Sequence, residues 1–327
     1  MGLTSSNACL VVWAVSDGRA GIEAQSLGLA EAVARRRPAE ITVKRIEWRR
    51  PLGGLPWRLN PFPRSGLSQG SSIAPPWPDL WIAAGRATLP LSTRVRRWSG
   101  GRTFVVQTQD PRTASDRFDL VVPPLHDRLT GPNVLPIIGS PNRVTPERIT
   151  EDLARFAQLV SPLVRPRIGV LIGGRSRAFD LPPERAAAMG DEIAAAVMQA
   201  GGSILATFSR RTPEPARAVL ASRLEKLPGV IWDGTGDNPY FAFLGGADHL
   251  LATEDSVNIA TEAASTGKPV HILAMTGGSP KFTRFHEGLR AHGASRPFTG
   301  AFETWTYPPL AESDRAAVEV LRRLDAC

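Results

Sequence analysis

Short apolar runs alternate with longer amphipathic stretches along the whole chain. In the first half, Cys9–Val15, Ile41–Ile46, Leu80–Ala84, Thr103–Gln107, Leu120–Val122 and Val134–Ile138 have the length and β-branched content of buried strands. Ile22–Arg36, Leu89–Trp98 and Pro146–Val160 carry helical spacing between them. The second half repeats the alternation. Strands are predicted at Ile168–Ile172, Ile204–Phe208, Val230–Trp232, His249–Ala252 and Val270–Leu273. Helices are predicted at Pro183–Ala200, Pro215–Lys226, Pro239–Leu244, Ser256–Thr266 and Glu312–Leu324. Such alternation predicts an α/β protein with parallel sheets.

Ser161-Pro-Leu-Val-Arg-Pro166 reads as a stiff linker, because its prolines break a helix. It divides the chain into residues 1–163 and 164–327. Each half opens on an apolar strand and a glycine-bearing turn, as two Rossmann-like domains facing a cleft should. The last helix, over 311–326, is expected to cross back onto the first domain. The segment Pro51–Pro78 differs in kind, being rich in proline with two tryptophans and no acidic residue. It is either a surface loop or a patch in which Trp57, Phe62 and Trp77 dip into a membrane interface beside Arg58 and Arg64.

At 327 residues the chain can bury two cores. No window is apolar enough to span a membrane, and the N-terminal run leads directly into a motif, as a first strand does. Cys9 and Cys327 make no disulfide framework, which points to a reducing cytoplasm. Residues 1–165 hold 22 Lys/Arg against 13 Asp/Glu, whereas residues 166–327 hold 17 against 18. A basic first half fits an anionic partner, or else a composition that favours arginine with its charges solvated.

Candidate chemistry lies where strands meet turns. After the strand ending at Ala252, Thr253-Glu254-Asp255-Ser256 forms a polar elbow, Asp255 and Ser256 are good helix caps, and the helix stops at Gly267 before Pro269. Such a helix aims its free N–H groups at the carboxyl edge of a parallel sheet, where an anion can sit. Gly173-Gly174-Arg175-Ser176-Arg177 is a candidate diphosphate cradle, with Ser209-Arg210-Arg211 on the same edge, or simply an arginine-rich exposed turn. In the first half, Ser16-Asp17-Gly18-Arg19-Ala20-Gly21 follows the first strand, and Asp17 is either a reactive carboxylate or the cap of the next helix. Gln107 and Asp110 end another strand; Asp110, before Pro111, reads equally as a turn residue. His126 could face the cleft, but it cannot form a dyad with adjacent Asp127. Lys281 and Arg284, after Gly277-Gly278-Ser279-Pro280, start a further helix.

The elbow, continued by Glu262-Ala-Ala-Ser-Thr-Gly-Lys-Pro269, resembles the nucleotide-sugar site of GT-B glycosyltransferases. Val15–Gly21 with Gln25, Gln107-Thr-Gln-Asp-Pro111, Gly173-Gly174 and Phe208-Ser-Arg-Arg-Thr-Pro213 extend the resemblance. Over most of its length the chain is similar to the mitochondrial-fission ELM family, which has many bacterial members. The resemblance implies a GT-B-like fold. It also implies a nucleotide-sugar as donor substrate, with Glu262 on its ribose and Ser256, Asn258, Arg175 and Arg210 around its phosphates. Asp17 or His126 would serve as general base toward an anionic or lipid-linked acceptor.

There is no H-E-x-x-H pair, Walker A loop or D-x-D pair, so a transferase here is expected to work without metal or cofactor. An NAD-dependent epimerase is excluded, since neither Tyr240 nor Tyr307 has a lysine four residues on. No motif of a nucleic-acid binder accompanies the basic charge. The family's link to organelle division supports a second reading, a GT-B-like binding or scaffold protein without turnover. Either reading places the protein in the cytoplasm, with the inner face of the cytoplasmic membrane as the alternative place.

Overall fold

The computed structural model of the chain describes residues 9–50, 52, 60, 64–68 and 70–326. Two compact units are present: residues through Arg143 together with those from Ala311 onward, and Val144–Leu310. In the first unit lie β1 (Leu10–Ser16), α1 (Ala20–Ala34), β2 (Ala39–Arg45), β3 (Leu80–Ala83), α2 (Leu89–Trp98), β4 (Phe104–Gln107) and β5 (Leu120–Val121). The strands pair in parallel in the order β2-β1-β3-β4-β5. Every residue of β3 and β4 is buried, as parallel strands covered on both faces require. Leu29, Ala30 and Val33 of α1 cover Val12, Leu80, Ile82 and Val106 on one face; Trp13, Trp81, Val105, Leu91 and Val95 fill the other.

The second unit contains α3 (Pro146–Arg155), α4 (Ala157–Val160), β6 (Arg167–Ile172), β7 (Phe179–Asp180), α5 (Pro183–Ala200), β8 (Ser203–Phe208), α6 (Glu214–Leu224) and β9 (Gly229–Ile231). It continues with α7 (Tyr240–Gly246), β10 (His249–Thr253), α8 (Val257–Ala264), β11 (Val270–Leu273), β12 (Thr276–Gly277), α9 (Pro280–Ala291) and β13 (Ser295–Pro297). The six-stranded parallel sheet has the order β13-β11-β10-β6-β8-β9, and β7 pairs antiparallel with β12. The final helix α10 (Glu312–Leu324) belongs to the first unit, burying Ala316, Ala317 and Val320 in the core beside α1. Each sheet has one point where its strand order reverses, between β1 and β3 in the first and between β6 and β10 in the second.

Three expectations change. The units part between Arg143 and Val144, not after residue 163, because α3 and α4 pack on α7. Glycines in α7 admit them: a Cβ on Gly245 would lie 2.5 Å from Ile149 Cγ2, and one on Gly246 would lie 2.5 Å from Val160 Cγ1. The helix predicted over 146–160 is also split at Phe156, whose φ of −107° leaves the helical region. Residues 134–138 form no strand. They touch the first sheet by isolated bridges at Val134 and Ile137, since Pro136 between them has no N–H to donate.

Buried histidines give the second unit an acid limit. His249 and His271 lie with ring centroids 5.7 Å apart, under Phe302. His271 also meets Phe298 and Trp305. Burial pushes His271 down to about 4 and lowers His249 as well. Between pH 6.5 and 4 the unfolded chain takes up a proton that folded His271 refuses. Its stabilising contribution is therefore complete above pH 6.5 and lost as the pH falls, by about 3 kcal/mol in all. Urea unfolding from pH 7 to pH 4 should show this loss, and His271→Leu should flatten it. An unchanged slope in that variant would assign the acid sensitivity elsewhere.

Candidate functional site

Ligands of open α/β sheets sit outside the carboxyl ends of the strands, at the point where strand order reverses. In the second unit that point lies between β6 and β10, and the two predicted motifs meet there. The Gly173 N–H donates to Thr253 Oγ1 at 2.7 Å and the Gly174 N–H to Asp255 Oδ2 at 3.0 Å. The Thr253 hydroxyl donates to Asp255 Oδ1 at 2.7 Å, and the Arg211 guanidinium pairs with Asp255 at 2.8 Å. Asp255 has a side chain with no exposure at all.

This knot corrects the diphosphate cradle. The glycine amides serve the elbow of the same unit and are not presented to a ligand. The glycines are needed for close approach: a Cβ on Gly173 would lie 2.0 Å from Asp255 Oδ1, and one on Gly174 would lie 2.1 Å from the Arg211 carbonyl oxygen. Arg175 is committed too, pairing with Asp180 at 2.9 Å, and Ser176 Oγ accepts from the Ala178 and Phe179 amides within its own turn. Ser209 Oγ accepts from the Arg211 amide. Arg177 and Arg210 remain: both are exposed, and among the described residues neither has a carboxylate partner.

α8 begins as predicted, with Ser256 Oγ accepting from the Ile259 amide at 3.4 Å. Asn258 sits in its first turn. Half-buried Glu254 accepts from the Met275 amide, and its carbonyl accepts from His286 Nε2 at 2.9 Å. Burial raises the Glu254 carboxyl above its ordinary value. Glu262 has a partner that the sequence did not reveal, the Tyr240 hydroxyl, which donates to its Oε2 at 2.6 Å. Burial, reinforced by the Glu262 carboxylate, holds the Tyr240 hydroxyl well above its usual range. No sequence signal links residues 22 positions apart on different helices. Beyond β11, Gly277, Gly278, Ser279, Pro280, Thr283 and Arg284 line an open depression of about 650 Å³, with Lys281 in the first turn of α9.

In the first unit, Ser16, Gln25 and Gln107 are buried near the carboxyl edge of the sheet. Asp17 caps no helix. The residue preceding α1 is Arg19, and Asp17 instead accepts from the Arg19 amide at 3.2 Å and pairs with its guanidinium at 2.7 Å. Gly18, with φ of +76°, makes that turn possible, and Gly21 lies in the first turn of α1. Gln25 accepts from Gln109 at 2.9 Å, while Gln107 donates weakly to the Gly85 carbonyl and has a buried Oε1 without a donor. Asp110 pairs with Arg112 at 3.0 Å. His126 is only 4 % exposed within a short 3₁₀ turn, so it does not reach a ligand from where it stands. Of the two candidate bases, Asp17 is the accessible one, its side chain 16 % exposed.

The interfacial patch is corrected in part. Trp57, Arg58 and Phe62 lie outside the described residues. Trp77 does not project: it stacks on Trp98 at 5.9 Å and meets Trp13 at 6.2 Å, with the Arg64 guanidinium 5.5 Å above it. Among the described residues no helix is long and apolar enough to cross a membrane.

Two Rossmann-like domains, each a parallel sheet with its polar turns at the carboxyl edge, define a GT-B-like protein. A solved structure of UDP-GlcNAc 2-epimerase from Methanocaldococcus jannaschii, in complex with UDP-GlcNAc and UDP, shares the fold at a TM-score of 0.54. It is 10 % identical, over 97 % of this chain and 99 % of that one. The chain belongs to the mitochondrial fission ELM1 family, whose model matches residues 20–324. It is 31 % identical to the mitochondrial fission protein ELM1 of Arabidopsis thaliana over 76 % of its own length, and spans 64 % of that relative. It is 25 % identical to an uncharacterized protein of Rickettsia prowazekii (strain Madrid E), over 94 % of this chain and 96 % of the relative.

Proposed function

We propose that the chain is a metal-independent GT-B-type glycosyltransferase that moves a sugar from a nucleotide-sugar to an anionic or lipid-linked acceptor at the inner face of a membrane. One observation carries the reading: at the carboxyl edge of the second sheet, Ser256 caps α8 after β10, and the turns after the next two strands, β6 and β8, carry two exposed arginines, Arg177 and Arg210, that no carboxylate neutralises among the described residues. The UDP-GlcNAc in the related fold supports a nucleotide-sugar as ligand. Arg177 and Arg210 would hold the diphosphate and stabilise its charge as the leaving group, a task for guanidinium forks and a helix N-terminus where no cofactor serves. Ser256 and Asn258 flank it. Glu262 would receive the ribose hydroxyls once a nucleotide competes with Tyr240. On the first unit Asp17 would take the acceptor proton as general base.

The second reading, a binding or scaffold protein without turnover, is favoured by one feature. Arg175, Arg211, Asp255 and Glu262 already have partners inside the unit. A thermal-shift panel of UDP-, GDP-, ADP-, CMP- and dTDP-sugars separates the readings. A ligand at a hundred times its Kd stabilises by roughly 2.7 kcal/mol, or about 5–11 °C for a unit of this size. One nucleotide class should shift wild type but neither Glu262→Ala nor the Arg177→Ala/Arg210→Ala pair. No shift from any class overturns the donor site. A shift without nucleotide release in the presence of candidate acceptors supports the scaffold.

A further inference from the structure

We infer that the first unit carries a phosphate-binding site of its own, built by Arg86 between Arg19 and Arg112 at the carboxyl edge of its sheet. It deepens the acceptor side of the function proposed above, and rests on that reading only for the word acceptor.

Register places these arginines in a row. Val15 of β1 pairs with Ala83 of β3, which pairs with Gln107 of β4, so the three strands end side by side. Each strand is followed within a few residues by an arginine: Arg19, Arg86 and Arg112 respectively. With neighbouring strands about 4.8 Å apart, the three strand ends that carry them span about 10 Å. It straddles the reversal point between β1 and β3, where ligands of such sheets sit.

The outer two arginines are held in the same way. Asp17 accepts from the Arg19 amide and pairs with its guanidinium, and Asp110 accepts from the Arg112 amide at 2.8 Å while pairing with its guanidinium. Each arm is thereby fixed at its base, yet its side chain stays exposed, at 70 % for Arg19 and 61 % for Arg112. Arg86 is exposed, opens a 3₁₀ turn after Gly85, and has no carboxylate partner among the described residues. Glu23 and Arg45, also at this edge, neutralise each other at 2.6 Å. Asp17 and Asp110 likewise neutralise Arg19 and Arg112, so Arg86 is the member of the row that no carboxylate neutralises among the described residues.

A phosphate ester suits such a row. A guanidinium without its own carboxylate offers a full fork, and the two fixed neighbours each add outward N–H donors. The ligand class is therefore a phosphate ester, either soluble or displayed on a lipid.

The test uses the full chain carrying Arg177→Ala/Arg210→Ala, so that phosphate binding on the second unit is removed. Pyrophosphate and glycerol 3-phosphate are titrated by calorimetry, and vesicles of phosphatidylcholine with or without phosphatidic acid by co-sedimentation. Saturable binding of a soluble probe, or of the phosphatidic acid vesicles alone, identifies the source. Adding Arg86→Ala should weaken it about tenfold or more, with Arg86→Lys intermediate because the charge returns without the fork. No binding by any probe, or binding that Arg86→Ala leaves unchanged, overturns the site. Nucleotide-sugar shifts are read separately on the wild-type chain: their absence there, with phosphate binding intact in the Arg177→Ala/Arg210→Ala chain, sinks the donor site, not this one.

Discussion

Asp255→Ala is expected to destabilise the second unit by about 3 kcal/mol, among the largest effects of any substitution at its sheet edge. The carboxylate is wholly buried and accepts from the Gly174 amide, the Thr253 hydroxyl and the Arg211 guanidinium. Its removal leaves two buried donors unmet and an arginine without its partner. Arg211 is 42 % exposed and can turn to water, which keeps the loss at the lower end for a broken buried pair. Asp255→Asn retains an acceptor and should lose less. Urea denaturation decides it: a loss below about 1 kcal/mol for the alanine variant would mean that the knot is not what joins β6 to the elbow.

Deleting residues 311–327 should unfold the first unit while sparing the second. Ala316, Ala317 and Val320 of α10 are fully buried, with Leu321 and Leu324 packed at the margin. That apolar burial is worth about 5 kcal/mol, comparable with the whole stability of many domains. Ser313 adds a buried clasp, accepting from the Asn142 amide at 2.9 Å and donating to its carbonyl at 3.0 Å. The exposed pairs of Arg36 with Asp314 and Arg37 with Asp325 contribute little. Amide exchange should show β1 and β3 unprotected in the truncated chain and β6 and β10 protected as before. Retained protection in β1 would show that the core closes without the helix.

These two effects differ in how visible their causes are in the chain. The helix over 312–324 is announced by its periodicity, and the turns after Val15 and Ile172 by their glycines. The partners are not. Asp255 and Ser256 look alike as helix caps, yet Ser256 caps α8 while Asp255 turns inward to Gly174 and Arg211. Gly173 and Gly174 look like a phosphate loop because a ligand and a folded-back elbow make the same demand, a backbone without Cβ. Tyr240 lies outside every motif, and only the packing of α7 near α8 brings it to Glu262.

Local pattern alone determined the strand and helix alternation, the α/β class, the division into two Rossmann-like domains and the position of the elbow. Periodicity, caps and turn residues act within a few positions, and these features need nothing more. Tertiary structure decided where the chain divides, through two glycines in α7 that admit α3 and α4. It also decided which arginines are committed to a carboxylate and which of two candidate bases is accessible. Those outcomes depend on distances between residues far apart in the chain, which packing sets and spacing does not encode.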